Sequence, residues 1–290
     1  MSSRSRSRSR RGSNAGSDIA KKIEATKKAA RNKKKKEVPL PIKLQVQSDV
    51  HLDYQALHPR LIPKAEILIL AGDIGNIVSE PARMEAFFKR VSSQWTLVIY
   101  VLGNHEYWEG SVSEMLKKYR AFIAGFPNVH LLERGILKFR DIVFAGATMW
   151  SHIPEASAAE VRETMNDYER TAHLTVARVN KMHETAVAFF QKTIKKYPDH
   201  RVVCISHHAP VVTRIHLPGT KGTTHISRAY CTNLTSMFQK NLIMWIFGHT
   251  HFSCDFKVGK TRLVANQCGY SDQFRKGITH YSTQHVISIP

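Results

Sequence analysis

Five short clusters in this chain concentrate Asp, Asn and His: SDVHLD at 48–53, AGDIGN at 71–76, GNHEYW at 103–108, SHHAP at 206–210 and GHTHF at 248–252. Their side chains offer nitrogen and oxygen donors without a thiolate. That donor set suits Mn, Fe or Zn, and a mixed pair of sites need not be tetrahedral.

Each cluster has its own chemistry. Asp49 and His51 stand two apart at a strand end, where the period of two aims both side chains to one side and lets them chelate one ion. A turn Asp beside a surface His is the plainer reading of that pair alone. Asp73 follows a glycine, and its two carboxylate oxygens can be shared between two cations. Gly103 permits a sharp exit from a strand, Asn104 supplies a neutral amide oxygen, and His105 supplies a proton donor near neutral pH. His207 and His208 leave a strand on opposite sides, so one of them faces the site; His207 is the expected ligand and His208 a pocket wall. His249 and His251, read locally, share one side and chelate one ion, although Gly248 ends the strand before them.

The clusters need a scaffold, and the runs before them supply it. IKLQVQ, AEILIL, TLVIYVL, RVVCI and LIMWIF are short β-branched or aliphatic segments, each ending in one of the five clusters. Amphipathic stretches at about 80–93, 111–124, 157–170 and 172–196 carry apolar residues at helical spacing, such as Val187, Phe190 and Ile194. Two hairpins interrupt the alternation, one turning near Arg140–Asp141 and one at Gly259–Lys260. The pattern predicts an α/β fold with mixed sheets, in which ligands gather outside the carboxyl ends of the strands.

In content and order, DVH, GD, GNHE, SHH and GHTH resemble the five-part signature of the calcineurin-like metallophosphoesterase superfamily, over about residues 42–290. The resemblance implies an α/β (α+β mixed), four-layer αββα sandwich: two mixed β-sheets flanked by helices, with a binuclear metal site at the strand C-terminal ends. Carried over by motif, Asp49, His51 and His251 hold one metal ion, Asn104, His207 and His249 hold the other, and Asp73 bridges them. The implied reaction is hydrolysis of a phosphate mono- or diester by in-line attack of a metal-bridging hydroxide. His105 binds the phosphate and protonates the leaving oxygen. Phosphoprotein Ser/Thr phosphatases of the superfamily carry phosphate-clamping arginines after GD and before GNHE; here those places read GDIGNIVSE and VLGNHE, which disfavours that branch.

Three further stretches resemble pocket walls of the broader branch: GATMWS at 146–151, MNDY at 165–168 and TRLVANQCGY at 261–270. Trp150 and Tyr168 are either stacking surfaces for a base or aromatic leaving group, or core and rim packing. The expected substrate is a phosphorylated small molecule, a nucleotide or another phosphoester.

Charge is distributed unevenly. Of a net +20, more than half lies in residues 1–36, which hold 14 Lys plus Arg and only two acids. Residues 1–38 read as a disordered basic tail, able to bind nucleic acid or an acidic surface, and 39–290 as the catalytic domain. The longest apolar run, 95–103, falls far short of the roughly 20 residues that span a bilayer, and no signal peptide opens the chain. Four widely spaced cysteines without a Cys-x-x-Cys pair complete the expectation of an intracellular protein, cytoplasmic or nuclear. Two other functions compete: a catalytically silent scaffold with this fold, and a nucleic-acid-associated protein in which the tail is primary.

Overall fold

The aliphatic runs form strands buried on both faces. Among the described residues thirteen strands follow in chain order: β1 (Ile42–Gln47), β2 (Ile67–Ala71), β3 (Leu97–Val101), β4 (Gly110–Ser111), β5 (Val129–Leu131), β6 (Gly135–Phe139), β7 (Ile142–Ala147), β8 (Thr171–Ala172), β9 (Arg201–Ser206), β10 (Leu242–Ile246), β11 (Cys254–Val258), β12 (Thr261–Ala265) and β13 (Val286–Ile289). The structure, a computed structural model, describes residues 41–54, 60–215 and 224–289; the basic segment assigned to residues 1–38 lies outside them.

Two mixed sheets result. One has the order β13-β1-β2-β3-β5, and the other β11-β12-β10-β9-β7-β6. In the first, β1, β2, β3 and β5 are parallel and β13 closes an edge antiparallel. In the second, β7, β9, β10 and β12 are parallel, and the predicted hairpins put β6 and β11 antiparallel at the edges.

Alternation along each central strand decides the layers. Ile67, Ile69 and Ala71 of β2 face Phe144, Ile205 and Ile246 of the other sheet in a shared apolar layer. Leu68 and Leu70 point the opposite way, into a second cluster with Met84, Phe87, Phe88 and Val91 of the helix Pro81–Gln94. On the far side, Val202, Cys204 and Trp245 pack on Ala186, Phe190 and Ile194 of the helix Val176–Lys196. Helix, sheet, sheet, helix is therefore the order of layers, as expected. Burying each large aliphatic or aromatic side chain contributes about 1.5–3 kcal/mol, and this makes the strand cores a rigid base for the loops above them.

The predicted helices over 80–93 and 111–124 correspond to Pro81–Gln94 and Val112–Ile123; Ser111 caps the latter by accepting from Glu114 N. The stretch 157–170 differs. It forms Glu155–Thr164, breaks at the extended Met165, and resumes as the single turn Asp167–Arg170. Thr171–Ala172 pairs with Gly110–Ser111, so the helix expected over 172–196 begins at Val176 behind a Thr175 cap. No helix among the described residues is long and apolar enough to cross a membrane.

Candidate metal centre

The registers Ala71↔Val101 and Ala147↔Ser206 bring the strand exits to one end of the sandwich. Three groups of donor atoms gather there, each within 4.8 Å: Asp49, His51 and His251; Asp73, His207 and His249; and His51, Asp53 and His105. Asp73, of the second group, also approaches the other two. Its Oδ2 is 3.3 Å from His207 Nε2, 3.8 Å from His105 Nε2 and 4.0 Å from His51 Nε2.

The backbone takes unusual paths to achieve this. Asp49, His51, Asp73, His249 and His251 all have φ between 49° and 71°, a left-handed conformation that costs a non-glycine residue about 1–2 kcal/mol. The reason is visible in the loops: Asp49 N donates to Gly72 O, His51 N to Asp73 O, and His249 N to Asp49 Oδ1. Extended geometry, on which the period-of-two argument for Asp49 and His51 rests, therefore does not apply beyond Gln47. Asp49 and His51 still converge, but through this turned backbone.

Glycine makes the approach of the loops feasible. A Cβ on Gly103 would overlap Asp73 Oδ1, and one on Gly248 would stand 2.8 Å from both Ala71 O and Asp49 Oδ2. Glu106 binds the same loops together: its carboxylate accepts from the backbone N–H groups of Asp73, Ile74 and Gly103 and from the Tyr100 hydroxyl.

Several imidazoles are held with Nε2 aimed inward. His207 Nδ1 lies 2.9 Å from Ala71 O and His251 Nδ1 2.7 Å from Gln273 Oε1, so each Nδ1–H has an acceptor and each Nε2 is turned to the cluster. His51 Nε2 and His251 Nε2 lie 3.0 Å apart, and His207 Nε2 lies 3.0 Å from Asn104 Oδ1. His249 Nε2 is buried with no hydrogen-bond partner among the described residues. Imidazole nitrogens converging on carboxylate and amide oxygens, with His249 Nε2 left without a partner, fit a pair of metal ions of the borderline class that bind imidazole and carboxylate.

In the metal-free site the electrostatics divide the imidazoles. Burial drives the pKa values of His51, His249 and His251 below the ordinary imidazole range, which keeps them neutral donors. Burial acts against protonation of His207 too, but the Asp73 carboxylate outweighs it and pulls His207 up to about 10. Asp73 is buried as well, yet His207, His105 and His51 hold it ionised, well below the usual carboxylate range. His105 is raised: burial opposes its charge, while Asp73 and Asp53 favour it, and Asp53 Oδ2 is 3.0 Å from His105 Nδ1.

A cavity of 540 Å³ opens over the cluster, lined among others by Asp73, Asn104, His105, Trp108, Asp167 and Tyr270. Trp150, Tyr168 and His208 are not in its lining: Trp150 is buried against Tyr107 and His208, and Tyr168 packs on the outer core. His208 still lies beside the cluster, its ring 4.2 Å from that of His249. Sequence reasoning passed over Asp53, Trp108, Asp167, Tyr270 and Gln273. Asp53 and Trp108 stand inside quoted clusters and Asp167 inside MNDY, so position within a polar loop was the one available signal.

A two-sheet sandwich with His/Asp metal-binding clusters at its strand ends defines a metal-dependent phosphoesterase. Residues 42–253 match the calcineurin-like phosphoesterase family, and the chain belongs to it. An uncharacterised protein, L509, of Acanthamoeba polyphaga mimivirus is 26% identical over 260 residues, covering 79% of this chain and 92% of that one. The phosphopantetheinyl hydrolase of Mycobacterium tuberculosis has a similar fold, with a TM-score of 0.64 at 15% identity over 86% of this chain and 96% of that one.

Proposed function

We propose that the protein hydrolyses phosphate mono- or diesters of small molecules or nucleotides at a binuclear centre. Asp49, His51 and His251 hold one ion, Asn104, His207 and His249 hold the other, and Asp73 is shared. Mn, Fe or Zn fits this donor set. The observation that carries the proposal is the position of Asp73, whose Oδ2 faces His51 on one side and His207 on the other.

The bound ions supply Lewis-acid activation of water and offset the charge that develops on the phosphoryl oxygens. The chain's own residues do the rest. Asp53 accepts from His105 Nδ1–H and leaves Nε2–H to donate, first to a phosphoryl oxygen and then to the leaving group. Trp108 stacks on the His105 ring with centroids 3.5 Å apart, which fixes its plane. The cavity volume suits a small organic phosphate, since ligand pockets run about 300–1,000 Å³.

Metal-reconstituted protein should be assayed against p-nitrophenyl monoesters and diesters, nucleotides and cyclic nucleotides. Turnover of at least one class is expected, with large losses in Asp73→Asn and His105→Ala. No turnover with Mn, Fe or Zn would instead favour a silent scaffold.

Nucleic-acid or acidic-surface binding falls to the basic segment 1–36, because most of the net charge lies there. Such binding is expected to weaken steeply with salt and to vanish when 1–36 is deleted.

A further inference from the structure

The turn Asp167–Arg170 begins where the expected helix breaks, and it is fastened to the segment that follows His105. Glu109 N donates to Arg170 O at 2.9 Å, and Gly110–Ser111 pairs in parallel with Thr171–Ala172. The Arg170 guanidinium covers the Trp108 ring at 4.3 Å from its centroid and also pairs with Glu109.

Asp167 heads this turn and is 4% exposed. Its Oδ1 accepts two hydrogen bonds, from Asn104 Nδ2 and from Trp108 Nε1, both at 2.8 Å. An asparagine amide has a donor end and an acceptor end of nearly equal shape, so something must choose between its two orientations. Here the acceptor oxygen of Asp167 takes the NH₂ end, which turns Asn104 Oδ1 toward His207 Nε2, 3.0 Å away. The second bond holds the indole on which His105 stacks.

We propose that Asp167 is a positioning residue for both halves of the site. It orients the Asn104 amide oxygen toward the His207 and His249 cluster, and through Trp108 it fixes the His105 ring. The inference rests on Asn104 being a ligand in the reading above.

Mn²⁺ titration of the full-length, chelator-treated protein by calorimetry tests it, with thermal melts in parallel. Wild type is expected to bind two ions. In Asp167→Ala one binding step should weaken about ten- to hundredfold while the other stays within about twofold, as expected when an outer partner of one ligand is removed. Asp167→Asn, which keeps an acceptor within reach, should restore most of that affinity. In hydrolysis, Asp167→Ala should lower kcat more than it raises KM.

Equal affinities at both steps in folded Asp167→Ala, or equal weakening of both, would overturn the role of Asp167 and leave the proposed function standing. If Asp167→Ala does not fold, Asp167→Ser, too short to reach Asn104, carries the same expectation and the same refutation. A wild type that binds fewer than two ions would remove the reading on which the role depends.

Discussion

His51 Nε2 and His251 Nε2 lie 3.0 Å apart although the residues are 200 positions distant in the chain. Two imidazole nitrogens at that separation either share a proton or direct their lone pairs at one cation. His249, two residues before His251, is instead grouped with Asp73 and His207. In the proposed assignment the pair in GHTH clasps two sites. His251→Ala and His249→Ala are each expected to reduce bound metal from two ions to one, at different sites. Elemental analysis checks the count, and hydrolysis should fall by more than about a hundredfold, beyond what outer partners alone control.

His105 and Asp53 make a separate prediction. His105→Ala should lower kcat by about 10²–10⁴-fold with metal content unchanged, the range for losing a general acid. Asp53 raises the His105 pKa, so Asp53→Asn should lower it. In the proposed reaction His105 acts in its protonated form, so the alkaline limb of the kcat–pH profile should move to lower pH in Asp53→Asn. A limb that stays in place would show that another group donates the proton.

Buried histidines set the acid stability of the metal-free protein. His51, His183, His208, His249 and His251 all have folded pKa values lowered by burial. Unfolded, they take up protons near pH 6.5, so the unfolded state binds more protons as pH falls below about 6.5, and stability declines. His105 and His207 are raised; their contribution is complete below about pH 6.5 and is lost only as pH rises through their folded values. Asp49, Glu133 and Asp167, raised by burial, and Glu106, pushed up to about 7, take up protons first in the folded state and offset part of the acid loss. The Tm of chelator-treated protein should therefore drop between pH 7 and pH 5, as a melting series would show. Bound metal keeps the ligand imidazoles deprotonated and should raise Tm throughout, by an amount that grows with metal concentration.

Gly103 tests the packing beneath the site. Because a Cβ there would overlap Asp73 Oδ1, Gly103→Ala should cost about 1–3 kcal/mol and also reduce metal binding. Gly259→Ala, with nothing within 4 Å of its Cβ but a φ of +59°, is the control: it should strain the hairpin turn and leave metal affinity alone. Denaturant melts and metal titration separate the two.

Much of this fold was readable because both faces of the central strands are apolar. Runs such as ILILA have no other good home, and each ends in a polar cluster at the loop where the parallel sheet delivers it. The paired hairpins followed from turn residues. What could not be read was long-range. Asp167 reaches Asn104 across 63 positions because β4 pairs with β8, and a two-residue strand leaves no periodicity to detect. Left-handed φ at Asp49 and His249 goes with hydrogen bonds between loops rather than with residue type, so i, i+2 geometry was a poor guide there. For Trp150 the sequence left stacking surface and core packing both open, and only the fold puts it between Tyr107 and His208.

Anomalous X-ray diffraction from crystals of Mn- or Zn-loaded protein tests the central claim most directly. Two peaks are expected about 3.5–4 Å apart, one beside Asp49, His51 and His251 and the other beside Asn104, His207 and His249, with the Asp73 carboxylate between them. A single peak, or two peaks that do not share Asp73, would contradict the binuclear centre.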